Sequence, residues 1–526
     1  MKNILYLFLI VFLALTIGFF WGSHWKQNLW LATENGKAQV KLNRLLNYIS
    51  ENYVDNVDMD SLTTNIIQDI IRQLDPHTVF IPRQARQAML EDMQGNFVGI
   101  GVSFFMVEDT VAVVRVLEGG PSEKLGILPG DRILVADSDT LYQKGLDSNE
   151  IVSKLKGSPE TQVNITFYRP QSDSLFEIPI GRGEVPLKSV NAAFSINKHT
   201  GYIKINRFAQ TTYDEFIEAL RMFDLYETKN LILDLRDNPG GYLYPAQQIA
   251  DEFLKEGTPI VITESNKGER HFSIASEVGG YEKGSVYLLV NEQSASSAEV
   301  LAGALQDNDR AWIVGRRTFG KGLVQQQFPL GDGDEIRLTS ARYFTPTGRS
   351  IQRPYSFDKE SYFDDITNRF DSGEMADEAK IPINDSLAFK TPEGRTVYGG
   401  GGIYPDIYVP ITDTPDEQWN TILLRSNLMN HFVFTTLDAD RASHYFPEEE
   451  ALIKEPLPQA KEWIQSFKKY CKDSGIPIEL NDMKGIEIAI KAYIGLQLFG
   501  ENCFTKILLQ KDSFLDQVRM HQQMLE

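Results

Sequence analysis

A serine stands where the sequence passes from a buried strand to a helix. Ser296 follows the apolar run VYLLV and precedes AEVLAGALQ, whose apolar residues recur at helical spacing. A hydroxyl at such a turn faces out of the sheet, and free N–H groups at the start of the helix can stabilise a developing oxyanion. Ser296 and Glu299 also fit the capping-box pattern, in which the serine only caps the helix. This stretch alone leaves a nucleophile and a structural cap both open.

A lysine downstream has the surroundings that a general base would need. Lys321 lies in the string TFGKGLVQ, among apolar residues and glycines. An ordinary lysine stays protonated, so burial must lower its pKa before it can accept the serine proton. Gln325, four residues on, would orient the amine if this segment were helical. The alternative is a solvated loop lysine, and the scattered histidines offer no Ser/His motif instead.

Residues 95–182 read as a compact β-domain of short apolar runs separated by glycine-rich turns. Near its start Phe97 precedes Gly99, Ile100 and Gly101. Successive backbone N–H groups with few side chains form a nest that suits a carboxylate, although a tight turn is the simpler reading. The string PSEKLGILPGDRIL at 121–134 resembles the PDZ signature. That resemblance implies a groove for an extended peptide, with the terminal carboxylate held at Gly99 to Gly101.

The other elements form three blocks. Residues 36–94 have helical spacing. Residues 186–410 alternate apolar runs, buried on both faces, with amphipathic stretches, which predicts an α/β core. Residues 415–526 are again helical by pattern and contain no recognisable chemistry.

The N-terminal segment predicts export. Residues 4–21 are almost wholly apolar, and residues 1–22 read as a membrane anchor or a signal peptide. We favour an uncleaved anchor, because bulky aromatics stand where a signal peptidase needs small residues. Tryptophans at 21, 25 and 30 also suit a membrane interface. The expected location is the cell membrane, with a single span and the remaining domains on the periplasmic, extracytoplasmic side.

Composition excludes several classes of function. The 526 residues have a net charge of -20 and no long basic run, which argues against nucleic-acid binding. The histidines and the two cysteines show no metal-ligand spacing, so we expect neither metal nor cofactor. An oxidising compartment would allow one disulfide between Cys471 and Cys503.

The strings SASSAE at 294–299 and FGKGLVQ at 319–325 closely resemble the carboxyl-terminal processing, or tail-specific, protease family. Further stretches match that family's pattern in order, from about residue 74 to residue 409. They include LDPHTVFIP at 74–82, LILDLRDNPGG at 231–241, YFTPTGRSIQ at 343–352 and GGGIYPDI at 400–407. The resemblance implies an α/β multidomain protein with a PDZ β-domain, a crotonase- or ClpP-like protease core and a helical C-terminal extension.

The resemblance also implies residue roles. Ser296 would be the nucleophile, Lys321 the general base, and Gln325 the residue that positions the base. Oxyanion donors would be backbone N–H groups of Ser297 and of the glycine pair Gly240 and Gly241. The usual family string alternates as SASASE, whereas Ser297 and Ala298 are exchanged here, which leaves the position of Ser296 intact.

The function implied is a serine endopeptidase that processes exported proteins at or near their C-termini. Its partners would be proteins or peptides with exposed C-termini, and an oligomer is compatible with the sequence. Two alternatives are a catalytically silent PDZ scaffold that only binds peptides, and an acyl-transfer enzyme of crotonase-like architecture. The second alternative leaves the PDZ stretch unexplained.

Overall fold

The computed structural model describes residues 34–224, 227–276, 278–355, 359–411, 426–440, 446, 448–476 and 482–525. The predicted membrane segment at 1–22 lies outside these ranges. Within them, no helix combines the length and the apolarity needed to cross a bilayer. The chain divides into two compact units, Met1–Leu74 and Asp75–Glu526.

The described part of the first unit consists of two helices, α1 (Glu34–Asn52) and α2 (Met59–Arg72). Asp58 caps α2, because its side chain accepts hydrogen bonds from the N–H groups of Asp60 and Ser61. The predicted helical segment at 36–94 is only partly helical. It also contains β1 (Val79–Ile81), which precedes α3 (Arg83–Gln94) in the second unit.

The β-domain follows α3. Its elements are β2 (Asn96–Gly99), β3 (Val102–Val107), β4 (Thr110–Val116), β5 (Arg132–Ala136), β6 (Asp139–Thr140), α4 (Ser148–Leu155), β7 (Gln162–Arg169), β8 (Ser174–Gly181) and β9 (Gly183–Pro186). Five strands form an antiparallel sheet in the order β3-β4-β5-β7-β8, with β6 on β5, and β2 pairs with β9. Strand β3 therefore lies at an edge of the sheet, where β4 is its neighbour within the described chain.

The α/β core comes next in the chain. Its elements are β10 (Val190–Asn197), β11 (Thr200–Ile205), α5 (Thr212–Arg221), β12 (Asn230–Asp234), α6 (Leu243–Asp251), β13 (Pro259–Ser265), β14 (Arg270–Ile274), β15 (Ser285–Val290), α7 (Ser297–Asp307), β16 (Trp312–Gly315), β17 (Leu323–Gly331), β18 (Asp334–Phe344), α8 (Lys359–Phe363), α9 (Asp365–Asp371), β19 (Ala388–Lys390), β20 (Thr396–Tyr398) and β21 (Ile407–Tyr408).

The central sheet of the core has the order β10-β11-β12-β15-β16-β21 and is parallel from β11 onward. Alternate residues of its strands face opposite ways. Leu231 and Leu288 pack against the core helices on one face, whereas Ile232 and Leu289 pack on the other. The prediction of strands buried on both faces is confirmed.

A second sheet lies beside the first, in the antiparallel order β1-β18-β13-β14 with β17 on β18. Strand β1 pairs with β18 from Val79 opposite Arg337 to Ile81 opposite Glu335. The stretch LDPHTVFIP therefore contributes a strand to the core.

The C-terminal region is helical, as predicted, and consists of α10 (Asn427–Ala439), α11 (Glu449–Lys454), α12 (Ala460–Asp473), α13 (Met483–Phe499), α14 (Glu501–Leu508) and α15 (Ser513–Leu525). These helices have their own apolar core. Cys471 and Cys503 lie in it as free, buried thiols, and burial raises their pKa values to about 11 and about 12. The disulfide that the sequence allowed is not formed.

The C-terminal helices also touch both preceding domains. Phe514, Leu515 and Val518 cover the second face of the central sheet. Phe434 of α10 packs against Ala112 and Val114 of the β-domain. The C-terminal region thus bridges the β-domain and the α/β core.

Candidate active site

Three neighbouring parallel strands deliver the loops of the site. The loop after β12 contains Gly240, the loop after β15 contains Ser296, and the loop after β16 contains Lys321. The carboxyl ends of parallel strands share one edge of a sheet, which is where open α/β sheets bind ligands. Backbone bonds join these loops: the Ala295 N–H donates to Asn238 O at 2.9 Å, and the Phe319 N–H donates to Ser294 O at 3.0 Å.

Ser296 lies in a strained turn directly before α7. Its φ is +56° and its ψ is -116°, a conformation that costs a non-glycine residue about 1–3 kcal/mol. Buried hydrogen bonds hold the turn, because Ser294 Oγ donates to Leu235 O at 2.7 Å and accepts from the Asn291 N–H at 3.0 Å. Half of the capping box that the sequence suggested is present, because the Ser296 N–H donates to Glu299 Oε2 at 2.8 Å. The strain indicates that the turn does more than cap a helix.

Glu299 connects the serine turn to the lysine loop. Its fully buried carboxylate accepts from the Ser296 N–H at 2.8 Å, the Lys321 N–H at 2.8 Å, the Gly320 N–H at 2.7 Å and Thr318 Oγ1 at 2.5 Å. Burial raises the pKa of Glu299, and these four hydrogen bonds oppose the rise. The sequence showed only the capping half of this arrangement, because the contacts with the lysine loop depend on the fold.

Tyr343 makes a second connection. Its buried hydroxyl donates to Lys321 O at 2.6 Å and lies 3.1 Å from Ser296 O. Burial raises the pKa of this phenol well above its usual value, so it remains a donor. Tyr343 stood in the motif YFTPTGRSIQ, but nothing in that string indicated what it would contact.

Lys321 has the environment that a lysine base requires. Burial, together with the nearby positive charge of Arg337, lowers its pKa to about 8, although the carboxylates of Glu299 and Asp75 oppose the shift. A usable fraction of the amine is therefore neutral near physiological pH. The alternative of a freely solvated loop lysine is wrong.

Gln325 lines the site from a strand, so the condition of a helical segment is not met. The segment after Lys321 is the strand β17 and not a helix. The pairing of β17 with β18 shifts register between Val324 and Gln325, as in a β-bulge, and such bulges redirect side chains. Gln325 Nε2 lies 3.4 Å from Thr339 Oγ1, which donates to Asp75 Oδ1 at 2.9 Å.

The glycine loop approaches the serine closely. A Cβ built on Gly240, where φ is +95°, would lie 2.7 Å from Ser296 Cβ and 2.7 Å from Ala295 O. The Gly240 N–H donates to Asn238 Oδ1 at 2.8 Å, so it is already engaged. The N–H groups of Gly241 and Ser297 donate to no other described residue. Of the three predicted oxyanion donors, these two are therefore the ones available.

The site opens into a cavity of about 820 Å³. Its lining brings together all six residues that the sequence assigned to catalysis or to oxyanion binding, and also Tyr343: Gly240, Gly241, Ser296, Ser297, Lys321, Gln325 and Tyr343. His77 does not line this cavity; its ring Nε2 lies 2.8 Å from the Tyr362 hydroxyl, and burial lowers its pKa to about 3. Within the described ranges no three His, Cys, Asp or Glu side chains come together to hold a metal ion.

The second predicted site lies at the start of β3. Gly101 has φ +79°, and the N–H groups of Ile100 and Gly101 donate to no other residue that the structure describes. The Ile100 side chain is buried in the β-domain core, and the Phe97 ring lies against Gly99. Two free donors in one loop beside an edge strand fit a carboxylate.

Comparison with known proteins finds matches to both regions. The family model for peptidase family S41 matches residues 199–356, and that for the PDZ domain matches residues 98–180. The carboxy-terminal processing protease CtpB of Bacillus subtilis is 32% identical over 326 residues, which are 61% of this chain and 67% of that protein. The carboxy-terminal-processing protease of Bartonella bacilliformis is 32% identical over 321 residues, 60% of this chain and 73% of that protein.

Among solved structures, a photosystem II D1 C-terminal processing protease aligns with a TM-score of 0.37 and 25% identity, covering 72% of this chain and 88% of that one. The S41 match includes both Ser296 and Lys321, and the PDZ match includes the loop from Gly99 to Gly101.

Proposed function

Because this chain belongs to peptidase family S41 and is a serine-type carboxy-terminal processing protease with a PDZ domain, we propose that it cleaves exported proteins at or near their C-termini with Ser296 as nucleophile and Lys321 as general base. One observation carries this assignment: a strained serine and a lysine with a lowered pKa line one cavity. Perturbed pKa values of this kind are typical of catalytic groups.

Acylation begins when neutral Lys321 Nζ takes the proton of Ser296 Oγ as that oxygen attacks the scissile carbonyl carbon. The carbonyl oxygen becomes an oxyanion, which accepts hydrogen bonds from the Gly241 and Ser297 N–H groups. The peptide C–N bond then breaks, and the Lys321 ammonium protonates the leaving amine. Water then gives a proton to Lys321 as its oxygen attacks the acyl carbonyl carbon. The ester C–O bond breaks, and the Lys321 ammonium returns the proton to Ser296 Oγ.

Gln325 acts in this scheme as a positioning residue for the amine. It lines the same cavity as Lys321 and is tied to Thr339 on the neighbouring strand. An amide can both donate and accept, so it suits a partner that alternates between amine and ammonium.

Substrate recognition is assigned to the PDZ domain. The edge of β3 can pair with an extended peptide, and the free N–H groups of Ile100 and Gly101 can bind its terminal carboxylate. Amidation of that carboxylate should therefore weaken binding.

Location at the membrane is the remaining part of the proposal. It is supported by the apolar segment at 4–21 and its flanking tryptophans. Fractionation of cells that express the full chain, followed by extraction with detergent or with high salt, tests it. Recovery in the soluble fraction without detergent would reject an uncleaved anchor.

The catalytic proposal is tested with a model protein that has an apolar C-terminal tail. Mass spectrometry of the products should show tail cleavage by the wild type and none by Ser296→Ala or Lys321→Ala. Ser297→Ala is the matched control: it keeps the backbone N–H and loses only the hydroxyl that donates to Gly241 O at 2.9 Å. Turnover by Ser296→Ala, or its loss only in Ser297→Ala, would reject the assignment of the nucleophile.

A further inference from the structure

A lysine of the PDZ domain lies beside the loop that is proposed to bind the substrate carboxylate. Lys156 follows α4, and its Cγ lies 3.6 Å from where a Cβ on Gly99 would be. Its Nζ is 4.7 Å from the centre of the Phe97 ring, which itself lies against Gly99. A positive charge therefore lies beside Phe97 and Gly99, at the start of the loop that contains the Ile100 and Gly101 N–H groups.

That charge is already paired with a carboxylate from outside the PDZ domain. Lys156 Nζ contacts Glu91 Oε2 on α3. The Glu91 side chain is only 11% exposed and also accepts from Gln87 Nε2 at 3.1 Å, whereas the Lys156 side chain is 35% exposed. The carboxylate is thus held in place, and solvent can reach the lysine.

Helix α3 connects this ion pair to the active site. Asp92 and Met93, the next two residues after Glu91, line the cavity that contains Ser296. Met89 Sδ, on the same helix, accepts from Arg337 Nη2 at 2.8 Å, and Arg337 also lines the cavity. Breaking the ion pair between Glu91 and Lys156 would therefore alter the position of residues that line the cavity.

We propose that Glu91 competes with the substrate's terminal carboxylate for Lys156. Without substrate it pairs with Lys156. A peptide carboxylate that binds the Ile100 and Gly101 N–H groups takes Lys156 as its ion-pair partner and releases Glu91, which frees α3 beside the cavity. This inference rests on the proposed function of the carboxylate loop.

The exchange has a defined thermodynamic consequence. One carboxylate replaces another on the same ammonium, so part of the binding free energy is used to break the internal pair. Only molecules in which Lys156 is not paired with Glu91 bind peptide with full affinity. The apparent affinity is therefore the intrinsic affinity multiplied by the fraction of such molecules. Removing the charge of Glu91 should raise that affinity, and removing the charge of Lys156 should abolish the gain.

Peptide binding is measured by fluorescence anisotropy in the full chain carrying Ser296→Ala, so that cleavage plays no part. The probe is a peptide with an apolar C-terminal residue, as the free acid and as the amide. We expect Glu91→Gln to bind the free acid about three- to ten-fold more tightly and Lys156→Gln to bind it more weakly by a similar factor. The double variant should match Lys156→Gln alone.

The matched control is the ion pair between Lys154 and Asp139, in which Lys154 lies two positions before Lys156 and both partners belong to the PDZ domain. Lys154→Gln and Asp139→Asn should leave both affinities unchanged. With Ser296 intact, Glu91→Gln should also raise the kcat/KM for an amidated substrate, because the ion pair that joins α3 to Lys156 is removed.

The outcomes separate the two proposals. A parent protein that binds acid and amide equally would reject the carboxylate loop and the exchange together. A parent that prefers the acid, with the same preference in Lys156→Gln, would reject the exchange alone. An unchanged affinity in Glu91→Gln would also reject it.

Discussion

At the scale of single residues, the lowered pKa of Lys321 is the property on which the proposed mechanism depends. The base form is the neutral amine, and its fraction increases as pH rises through about 8. The kcat/KM for tail cleavage should therefore be low in mild acid, rise through about pH 8 and level off above about pH 9. The measurement uses substrate concentrations well below KM. A flat profile between about pH 6 and pH 9 would contradict a lysine base.

Arg337 offers a way to move that profile. Its positive charge lowers the pKa of Lys321, so Arg337→Gln should raise it. The higher pKa should lower kcat/KM at neutral pH about three-fold and leave the plateau at high pH unchanged. Arg337→Lys retains the charge and serves as the control. A loss of activity that is equal at every pH would indicate a structural role for Arg337 instead.

The sequence predicted the residues that we propose as nucleophile and base, but not those that connect their loops. Ser296 and Lys321 stand in recognisable strings, and each has a residue type whose chemistry can be stated in advance. Glu299 and Tyr343 were not predicted as connectors, because the Lys321 N–H can donate to Glu299 only once β15 and β16 are paired. Contacts between distant loops have no local sequence pattern.

At the scale of elements, the close approach of the glycine loop to the serine turn is a steric requirement. A Cβ on Gly240 would clash with the Ser296 side chain and with Ala295 O, and the positive φ adds strain. Gly240→Ala should therefore reduce kcat by about a hundred-fold or more, because a misplaced nucleophile loses its alignment with the substrate.

The control for that substitution is Gly257→Ala. Gly257 also has a positive φ, +80°, but a Cβ there would meet nothing within 4 Å. Both variants have similar backbone strain, about 1 kcal/mol, so thermal unfolding should change similarly from that cause. If Gly257→Ala loses as much activity as Gly240→Ala, strain alone explains the effect and the steric argument fails.

The helical condition attached to Gln325 is not met, for a physical reason. The spacing of Lys321 and Gln325 fits one face of a helix, but the segment pairs along β18 and becomes a strand. Tertiary pairing overrides local spacing in such short apolar runs. The bulge at Val324 and Gln325 could not be predicted, because it depends on the register of the partner strand.

At the scale of the whole molecule, the C-terminal helices tie the PDZ domain to the protease core. Fully buried Phe434 packs on Ala112 and Val114, and Arg132 forms an ion pair with Asp438 at 2.5 Å. The sequence identified these helices but gave them no role, because a pattern of apolar spacing does not name the surface that it covers.

Phe434→Ala should loosen the PDZ domain. Hydrogen exchange of the amides in β3 and β4 should become faster, because the outer face of that sheet loses a packed ring. Phe432→Ala is the control, since Phe432 lies two positions earlier on α10 but packs against Phe467 within the helical core. Identical exchange in β3 and β4 for the two variants would contradict a direct contact.

The position of α15 in the chain has a consequence for biosynthesis. A ribosome completes the strands of the central sheet long before it reaches Phe514, Leu515 and Val518, which cover one face of that sheet. A sheet formed before that point would leave Tyr287 and Leu289 without this apolar cover, and such exposed apolar surface promotes aggregation and chaperone binding. The loops that contain Ser296 and Lys321 follow strands of this same sheet. We therefore expect the growing polypeptide to be inactive as a protease, and neighbouring proteins not to be cleaved, until synthesis has passed α15.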